Sequence, residues 1–312
     1  MKTIPGAGLA ALALIFNAFT WGVSWWPFRQ LQGLGLHPLW ATVLIFSVAV
    51  AAITVWRPRA WGMLFSTPVL WVLVLASGTT NAAFNWAVTL GDVVRVILLF
   101  YLMPLWAVLL ARALLGERIT PGALLRVALA LAGAGLVLAT GKEAGGAAGG
   151  GGYGIGSAAD AASTALGLPV PRNLAEWLAV LGGFTFALNN VMLKRESARP
   201  AEARALAMFL GGALVAGVLA LSLPGTVPPP PPLAWMWVLG ALGMGLWFVA
   251  SNLALQYGAG RLPANVTAVV MVTEVLFASV SAIALGAGTL TLPLAIGGAL
   301  ILGATLLSAR SH

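Results

Sequence analysis

Residues 266–285 read VTAVVMVTEVLFASVSAIAL, and they contain one charged side chain, Glu274. An apolar stretch of about 20 residues is long enough to cross a bilayer as a helix. An ionisable group at that depth is costly, and it usually faces a cavity or a partner. The seven other acidic residues lie at or between the ends of such stretches. Glu274 is therefore the first candidate for a functional residue.

The composition of the chain predicts an integral membrane protein. Of its 312 residues, 60% are apolar and only 8% are charged, whereas a soluble domain carries about 25% charged residues. The absence of Cys excludes disulfide and thiolate chemistry. The net charge of +8 does not indicate a nucleic-acid partner, because the basic residues lie in short loops between apolar runs.

Apolar runs of this kind recur along the whole chain. We predict ten membrane-spanning helices, at residues 9–27, 38–56, 68–88, 93–113, 122–140, 174–193, 203–223, 233–256, 264–286 and 291–308. If the N-terminus is cytoplasmic, twelve Lys and Arg residues fall inside and four outside. This bias predicts that both termini are cytoplasmic.

Residues 141–173 include GGAAGGGGYGIG and are interpreted as a flexible external linker. They divide the chain into a first half, residues 1–140, and a second half, residues 174–312, of five predicted spans each. Because five is odd, the second half enters the membrane from the opposite side. The predicted fold is therefore all-α, with two five-helix repeats of inverted topology around a central cavity.

Sequence matches between the halves support the repeat. Spans one and six align without gaps when Thr20 is paired with Thr185. Spans three and eight align on FNWAVTLG and SNLALQYG, a register that pairs Gly91 with Gly258. In spans four and nine, Pro104 precedes Gly116 by the same distance as Glu274 precedes Gly286.

The stretch YLMPLWAVLLARALLGERIT, residues 101–120, resembles the fourth-helix signature of the EamA-type members of the drug/metabolite transporter superfamily. The resemblance covers essentially the whole chain and implies a ten-helix transporter. Within the superfamily, FYLMP at 100–104 and TEVLFAS at 273–279 are most similar to aromatic amino-acid exporters of the bacterial inner membrane (YddG-like). The chain departs from the family where a Glu-Pro pair is common, since Glu274 is followed by Val275.

Polar and aromatic side chains inside six of the spans indicate the binding site, because polar groups at membrane depth face partners or water. These spans are one, three, four, six, eight and nine. Each Asn is also explained by a bond between neighbouring helices. The predicted substrate-binding residues are Trp21, Ser24, Asn81, Asn85, Tyr101, Phe186, Asn189, Asn190, Trp247, Asn252 and Glu274.

The absence of Lys and Arg near mid-depth argues against a highly anionic substrate. Asn, hydroxyl and aromatic groups suit a zwitterion, whose ammonium an aromatic wall attracts. We therefore predict an inner-membrane, alternating-access exporter of amino acids, aromatic and other neutral ones favoured. Efflux of drugs or lipophilic cations is the alternative. We expect no catalytic residues, metal or cofactor, no nucleic-acid partner, and a monomer or homodimer in the lipid bilayer.

Three roles remain open for Glu274: exchange of H⁺ for substrate, direct binding of the substrate ammonium, and a bond to a neighbouring helix.

Pro104 and Pro263 are predicted helix interruptions, where backbone groups become available to a substrate. The glycines of spans five and ten, Gly133 and Gly297 among them, predict close packing of the two halves.

Overall fold

The structure is a computed structural model that describes residues 7–116, 121–139, 171, 173–196, 198–259, 261, 270 and 273–310. All regular elements within these residues are helices. They are α1 Ala7–Val23, α2 Trp25–Gly33, α3 Pro38–Trp56, α4 Arg59–Phe65, α5 Leu70–Leu90, α6 Val93–Phe100, α7 Met103–Leu115, α8 Pro121–Ala139, α9 Leu174–Arg195, α10 Ala201–Ser222, α11 Trp235–Ala259, α12 Thr273–Ala284 and α13 Leu292–Arg310. The predicted interruption at Pro263 and nearly all of the predicted linker lie outside the described residues.

Six helical segments of the described chain are long and apolar enough to cross a membrane, and a seventh is added if α4 and α5, bent by 103°, are one span. The shorter apolar helices α8, α12 and α13 coincide with the predicted fifth, ninth and tenth spans. The prediction of an all-α integral membrane protein is confirmed. The count of ten spans stays a prediction.

Two of the predicted spans are each divided into two helices. The first predicted span is divided at Ser24 into α1 and α2, and Pro27 lies in the first turn of α2. The fourth is divided at Tyr101 and Leu102, and Pro104 lies at the start of α7. Proline has no N–H, so it cannot complete the hydrogen bond of a preceding helical turn. The interruption predicted at Pro104 therefore falls directly before this residue.

The helices of the two halves interleave. Going around the molecule, α3 packs on α11, α11 on α1, α1 on α12, α12 on α6, α6 and α7 on α9, α9 on α5, α5 on α10, and α10 on α3. We call α1, α2, α3, α11 and α12 the first bundle, and α5, α6, α7, α9 and α10 the second bundle. Each bundle takes helices from both halves, and the two bundles meet chiefly where α3 contacts α10 and α6 contacts α12.

Hydrogen bonds occur at equivalent positions of the predicted repeats. The Trp247 indole N–H donates to Thr20 Oγ1 at 2.6 Å, between α11 and α1. The registers given above pair Thr20 with Thr185 and Trp247 with Thr80. Thr80 Oγ1 and Thr185 Oγ1 are also bonded, at 2.9 Å, between α5 and α9. Two residue types as different as Trp and Thr therefore make the same helix-to-helix bond in the two bundles.

Close helix contacts also repeat. A Cβ on Gly91 would lie 2.9 Å from Ala175, and one on Gly258 would lie 2.7 Å from the carbonyl of Ala10, the residue equivalent to Ala175. Both Gly116 and Gly286 have positive φ, 70° and 66°, at the ends of α7 and α12. Glycine adopts this left-handed conformation at little cost.

Three helices belong to neither bundle: α4 packs on α10, and α8 and α13 pack on each other. A Cβ on Gly133 would lie 2.5 Å from the carbonyl oxygen of Gly297, and one on Gly297 would lie 2.7 Å from that of Gly133. These glycines thus allow a helix from each half to approach closely, as their residue type predicted.

Candidate functional site

Glu274 lies in the first turn of α12, where it faces the second bundle. The Tyr101 hydroxyl donates a hydrogen bond to Glu274 Oε2 at 3.3 Å. Tyr101 is only 4% exposed, and it lies in the break between α6 and α7. The bond therefore joins the two bundles, and it is long enough to be lost after a small displacement.

The break beside Tyr101 is held by a glycine of α9. A Cβ on Gly183 would fall inside van der Waals contact with the carbonyl oxygen of Phe100. The Phe100 ring packs on Phe84 at 4.9 Å and on Phe186 at 5.4 Å between ring centroids. Phe186, a predicted site residue, thus supports the break through Phe100.

The other side of Glu274 is covered by α1. A Cβ on Gly22 would lie 2.7 Å from the Glu274 carbonyl oxygen and 2.8 Å from Phe277 Cβ. Since nothing larger than glycine fits at Gly22 without displacing backbone atoms, α1 lies directly against the turn of α12 that carries Glu274.

Three aromatic rings form a wall next to this contact. Phe19 is stacked against Trp247, with ring centroids 6.3 Å apart, and meets the edge of Phe277 at 5.4 Å. Phe19 and Trp247 remain 38% and 41% exposed, so their faces are available to a ligand or to lipid. The hydrogen bond from Trp247 to Thr20 fixes the indole plane.

A small recess of about 20 Å³, enough for roughly one water molecule, adjoins the wall where the break between α1 and α2 faces α11. Its lining residues are Thr20, Val23, Ser24, Pro27, Met244, Trp247 and Phe248. Ser24 is bonded to the Trp21 carbonyl at 2.8 Å, and the Trp21 ring meets Phe248 at 4.6 Å. Three predicted residues, Trp21, Ser24 and Trp247, are thus brought together here.

The predicted asparagines do not form one group. Asn85 donates to Thr42 on α3 at 3.0 Å, and Asn81 donates to the Ser77 carbonyl in its own helix at 2.8 Å. Asn189 is 3% exposed and its neighbour Asn190 is exposed. For Asn85, a bond between helices is the role that the geometry shows.

Asn252 is partly buried on α11, one position after Ser251. Ser251 accepts a hydrogen bond from Asn17 at 2.7 Å, and this pair ties α1 to α11. Asn17 thus connects two helices of the first bundle.

Neither Phe277 nor Phe19 is among the residues predicted from the sequence. Phe277 lies one helical turn after Glu274, so the two side chains share a face of α12. This spacing could have identified Phe277. The position of Phe19 opposite Trp247 depends on the packing of α1 against α11, which no local pattern specifies.

The arrangement combines a carboxyl group, a phenol hydroxyl and an aromatic wall in apolar surroundings. A carboxylate binds an ammonium group through charge-assisted hydrogen bonds. The faces of Trp and Phe rings attract a cation and also pack on an apolar side chain. The site can therefore hold a ligand that has one cationic group and one apolar part.

Comparisons with known proteins agree with this architecture. Residues 8–139 match the EamA-like transporter family. The chloramphenicol-sensitive protein RarD of Pseudomonas aeruginosa is 33% identical over 115 residues, which are 34% of this chain and 38% of that relative. The matched region is thus well under half of RarD's length.

A protein of known crystal structure superposes with a TM-score of 0.55, over 98% of each chain and at 20% sequence identity. At this identity the match concerns the fold alone, and it extends over both predicted halves. Over residues 8–139, which carry the fourth-span motif, the chain is similar to the EamA-like transporter family.

Proposed function

We propose that the protein is an alternating-access transporter that exports amino acids across the bacterial inner membrane, with aromatic and other neutral amino acids favoured. The observation that carries the proposal is the bond between Tyr101 and Glu274 beside the aromatic wall of Phe19, Trp247 and Phe277. The match of residues 8–139 to a transporter family supports the general class, and the chemistry of the site supports the substrate.

The substrate ammonium would lie between the Glu274 carboxyl group and the ring faces of Phe19 and Trp247. A cation over an aromatic face gains about 0.5–2 kcal/mol, more when water is excluded. The apolar side chain of the amino acid would pack on the same wall, beside the recess at Ser24. Aromatic side chains bury the most area there, which is why they are favoured.

The two halves are proposed to be inverted repeats, and the bundles, rather than the halves, are proposed to move. The equivalent bonds at Thr20 and Thr185 support the repeat. The moving units follow from the interleaved packing, because each half is divided between two bundles and cannot rotate as a rigid body. Tyr101 and Glu274 lie in different bundles, so substrate binding at this bond would act on the interface that opens and closes.

Efflux of a drug or lipophilic cation is the second candidate function. A single buried carboxyl group among aromatic rings also suits a quaternary ammonium compound. The name of the relative RarD associates that protein with chloramphenicol sensitivity. Competition in a transport assay separates the two classes, because an amino-acid transporter is inhibited by Trp or Phe and a drug transporter by a quaternary ammonium compound.

Counterflow in liposomes tests the proposal. Liposomes that contain the purified protein are loaded with unlabelled Trp, Phe, Thr or Met. Uptake of the same amino acid in labelled form is then measured with and without a pH gradient. Glu274→Gln should lower counterflow at least tenfold, because loss of a charged hydrogen bond costs roughly 1.5–3 kcal/mol. Tyr101→Phe should lower counterflow less, since the carboxyl group remains.

Glu202→Gln is the matched control, because Glu202 lies in the first turn of α10, away from the proposed site. It should transport like the parent protein. Unchanged counterflow and unchanged pH dependence in Glu274→Gln would leave Glu274 only the role of bonding a neighbouring helix. Loss of the pH dependence alone would identify H⁺ exchange, and loss of substrate binding would identify contact with the ammonium.

A further inference from the structure

Arg29 joins the two bundles at one end of the molecule. Its Nε–H donates to the Val88 carbonyl at 2.9 Å, and its Nη2 donates to the Gly91 carbonyl at 2.6 Å. These carbonyls lie at the C-terminal end of α5, where backbone oxygens lack helical partners and the helix dipole is negative. Arg29 lies on α2, which belongs to the first bundle, and α5 belongs to the second bundle. This cation therefore holds the two bundles together at their expected external end.

The repeat registers place an equivalent cation and two equivalent carbonyl groups at the opposite end of the molecule. The alignment of Thr20 with Thr185 places Lys194 at the position of Arg29. The alignment of Gly91 with Gly258 also pairs Val88 with Leu255. Lys194 lies in the last turn of α9, in the second bundle, and the two carbonyls lie near the end of α11, in the first.

The two sets differ in burial. Trp25, which lies 5.4 Å from the Arg29 guanidinium, is 2% exposed, whereas the equivalent Asn190 is exposed. Phe28 is fully buried, whereas the equivalent Leu193 is partly exposed. The segment around Arg29 is thus packed against its neighbours, and the segment around Lys194 is more open.

The C-terminal end of α11 is at present contacted by Arg261. Its Nη1 donates to the Tyr257 carbonyl at 3.2 Å, and its guanidinium lies 3.8 Å from the centre of the Tyr257 ring. Arg261 follows α11 in the chain and therefore moves with the first bundle. This contact lies within the first bundle and does not join the bundles. A bridge between the bundles at this end would need a cation from the second bundle.

We propose that Arg29 and Lys194 are alternating latches of the transport cycle. Arg29 binds the C-terminal carbonyls of α5 when the external end is closed, as in this structure. When the bundles rock and the internal end closes, Arg29 leaves α5, and Lys194 binds the carbonyls of α11 at Leu255 and Gly258. Each cation stabilises one conformation only, so the balance between the two sets the ratio of inward-open to outward-open protein. The inference rests on the proposed transport function.

A distance measurement across the external end tests both latches. The native chain has no Cys, so spin labels can be attached to single Cys residues introduced at Gln30 on α2 and Leu90 on α5. The parent protein in liposomes should show a short and a long label-to-label distance. Arg29→Gln should raise the ratio of the long-distance population to the short-distance population about tenfold, as expected for loss of a charged hydrogen bond. Lys194→Gln should lower the same ratio by a similar factor.

Two controls accompany these variants. Arg29→Lys keeps a cation and should retain most of the population with the short label-to-label distance. It also serves as the test variant if Arg29→Gln does not fold. Arg195→Gln removes the cation next to Lys194, at an exposed position, and should leave the ratio unchanged.

The outcomes separate the latches from the transport function. Opposite shifts for Arg29→Gln and Lys194→Gln support the latches. Counterflow with two distances in the parent, but no shift or shifts of the same sign in the variants, overturns the latches and leaves the transport function standing. A parent protein with neither counterflow nor a second distance refutes both.

Discussion

Gly183→Ala should damage both stability and transport, although alanine is the better helix former. The new Cβ would fall inside contact distance of the Phe100 carbonyl oxygen, and it would lie 3.2 Å and 3.3 Å from the Phe100 carbonyl carbon and Cα. Carbon atoms pack best at about 3.5–4.0 Å, so α9 must withdraw from the break by roughly 1 Å. Because the obstructing atoms are backbone, a rotamer change cannot relieve the contact.

The magnitude follows from two opposing terms. Overpacking costs about 1–3 kcal/mol, and replacing Gly by Ala inside a helix returns about 1 kcal/mol. The net loss should therefore be up to about 2 kcal/mol of unfolding free energy. Tyr101 directly follows Phe100, and its bond to Glu274 is already 3.3 Å long. The same displacement should break that bond and lower counterflow.

Thermal unfolding in detergent and counterflow in liposomes measure the two effects. Gly243→Ala is the control, because a Cβ there has no atom within 4 Å, and it should be neutral or slightly stabilising. Gly182→Ala meets only the edge of the Phe100 ring, at 3.2 Å, and should have a smaller effect because a ring can move. A Gly183→Ala protein as stable and active as the parent would refute the proposed packing at the break.

Two further predictions concern the ends of the helices. Burial lowers the pKa of His37 to about 4, and His37 Nδ1 accepts a hydrogen bond from the Leu39 N–H at 3.3 Å. Since an unfolded His titrates near 6.5, the stability present above about pH 6.5 should be lost as the pH falls towards 4. The thermal midpoint should show this slope, and His37→Asn should remove it; an equal slope in both proteins would contradict the assignment. Glu176→Gln should cost about 3 kcal/mol or more, because it removes the carboxylate that lies 2.7 Å from the nearly buried Arg95. Replacing both residues by Met should recover much of that loss in chemical unfolding, and a double variant as unstable as the single one would show that the ion pair is not the cause.

Much of the site was accessible from local sequence. A carboxyl group within a 20-residue apolar run identified Glu274 without any knowledge of packing. Pro104 predicted a break in the fourth span because a missing N–H is a local property. Ser24 and Trp247, both predicted as substrate-binding residues, line the same recess at the first break, and their role in binding stays a prediction.

The residues that the sequence analysis missed depend on which helices meet. Phe19 belongs to the wall only because α1 packs on α11 and α12. Asn85 was expected at the substrate site, which stays a prediction, and its bond to Thr42 depends on how closely α5 lies to α3. An apolar helix in lipid gives little indication of its partner, because the surrounding lipid is as apolar as the helix surface.

The sequence by itself determined the class of the protein, most of the helices and the registers of the repeat, because each follows from hydrophobicity, Pro and Gly positions and internal similarity along one chain. Only the tertiary structure decided that the helices of the two halves interleave into mixed bundles, that Tyr101 meets Glu274 between these bundles, and that Arg29 bridges them through the carbonyls of Val88 and Gly91. The reason is physical. Hydrophobicity and Pro and Gly positions are local properties of the chain, whereas the contacts between distant helices form only when the chain packs.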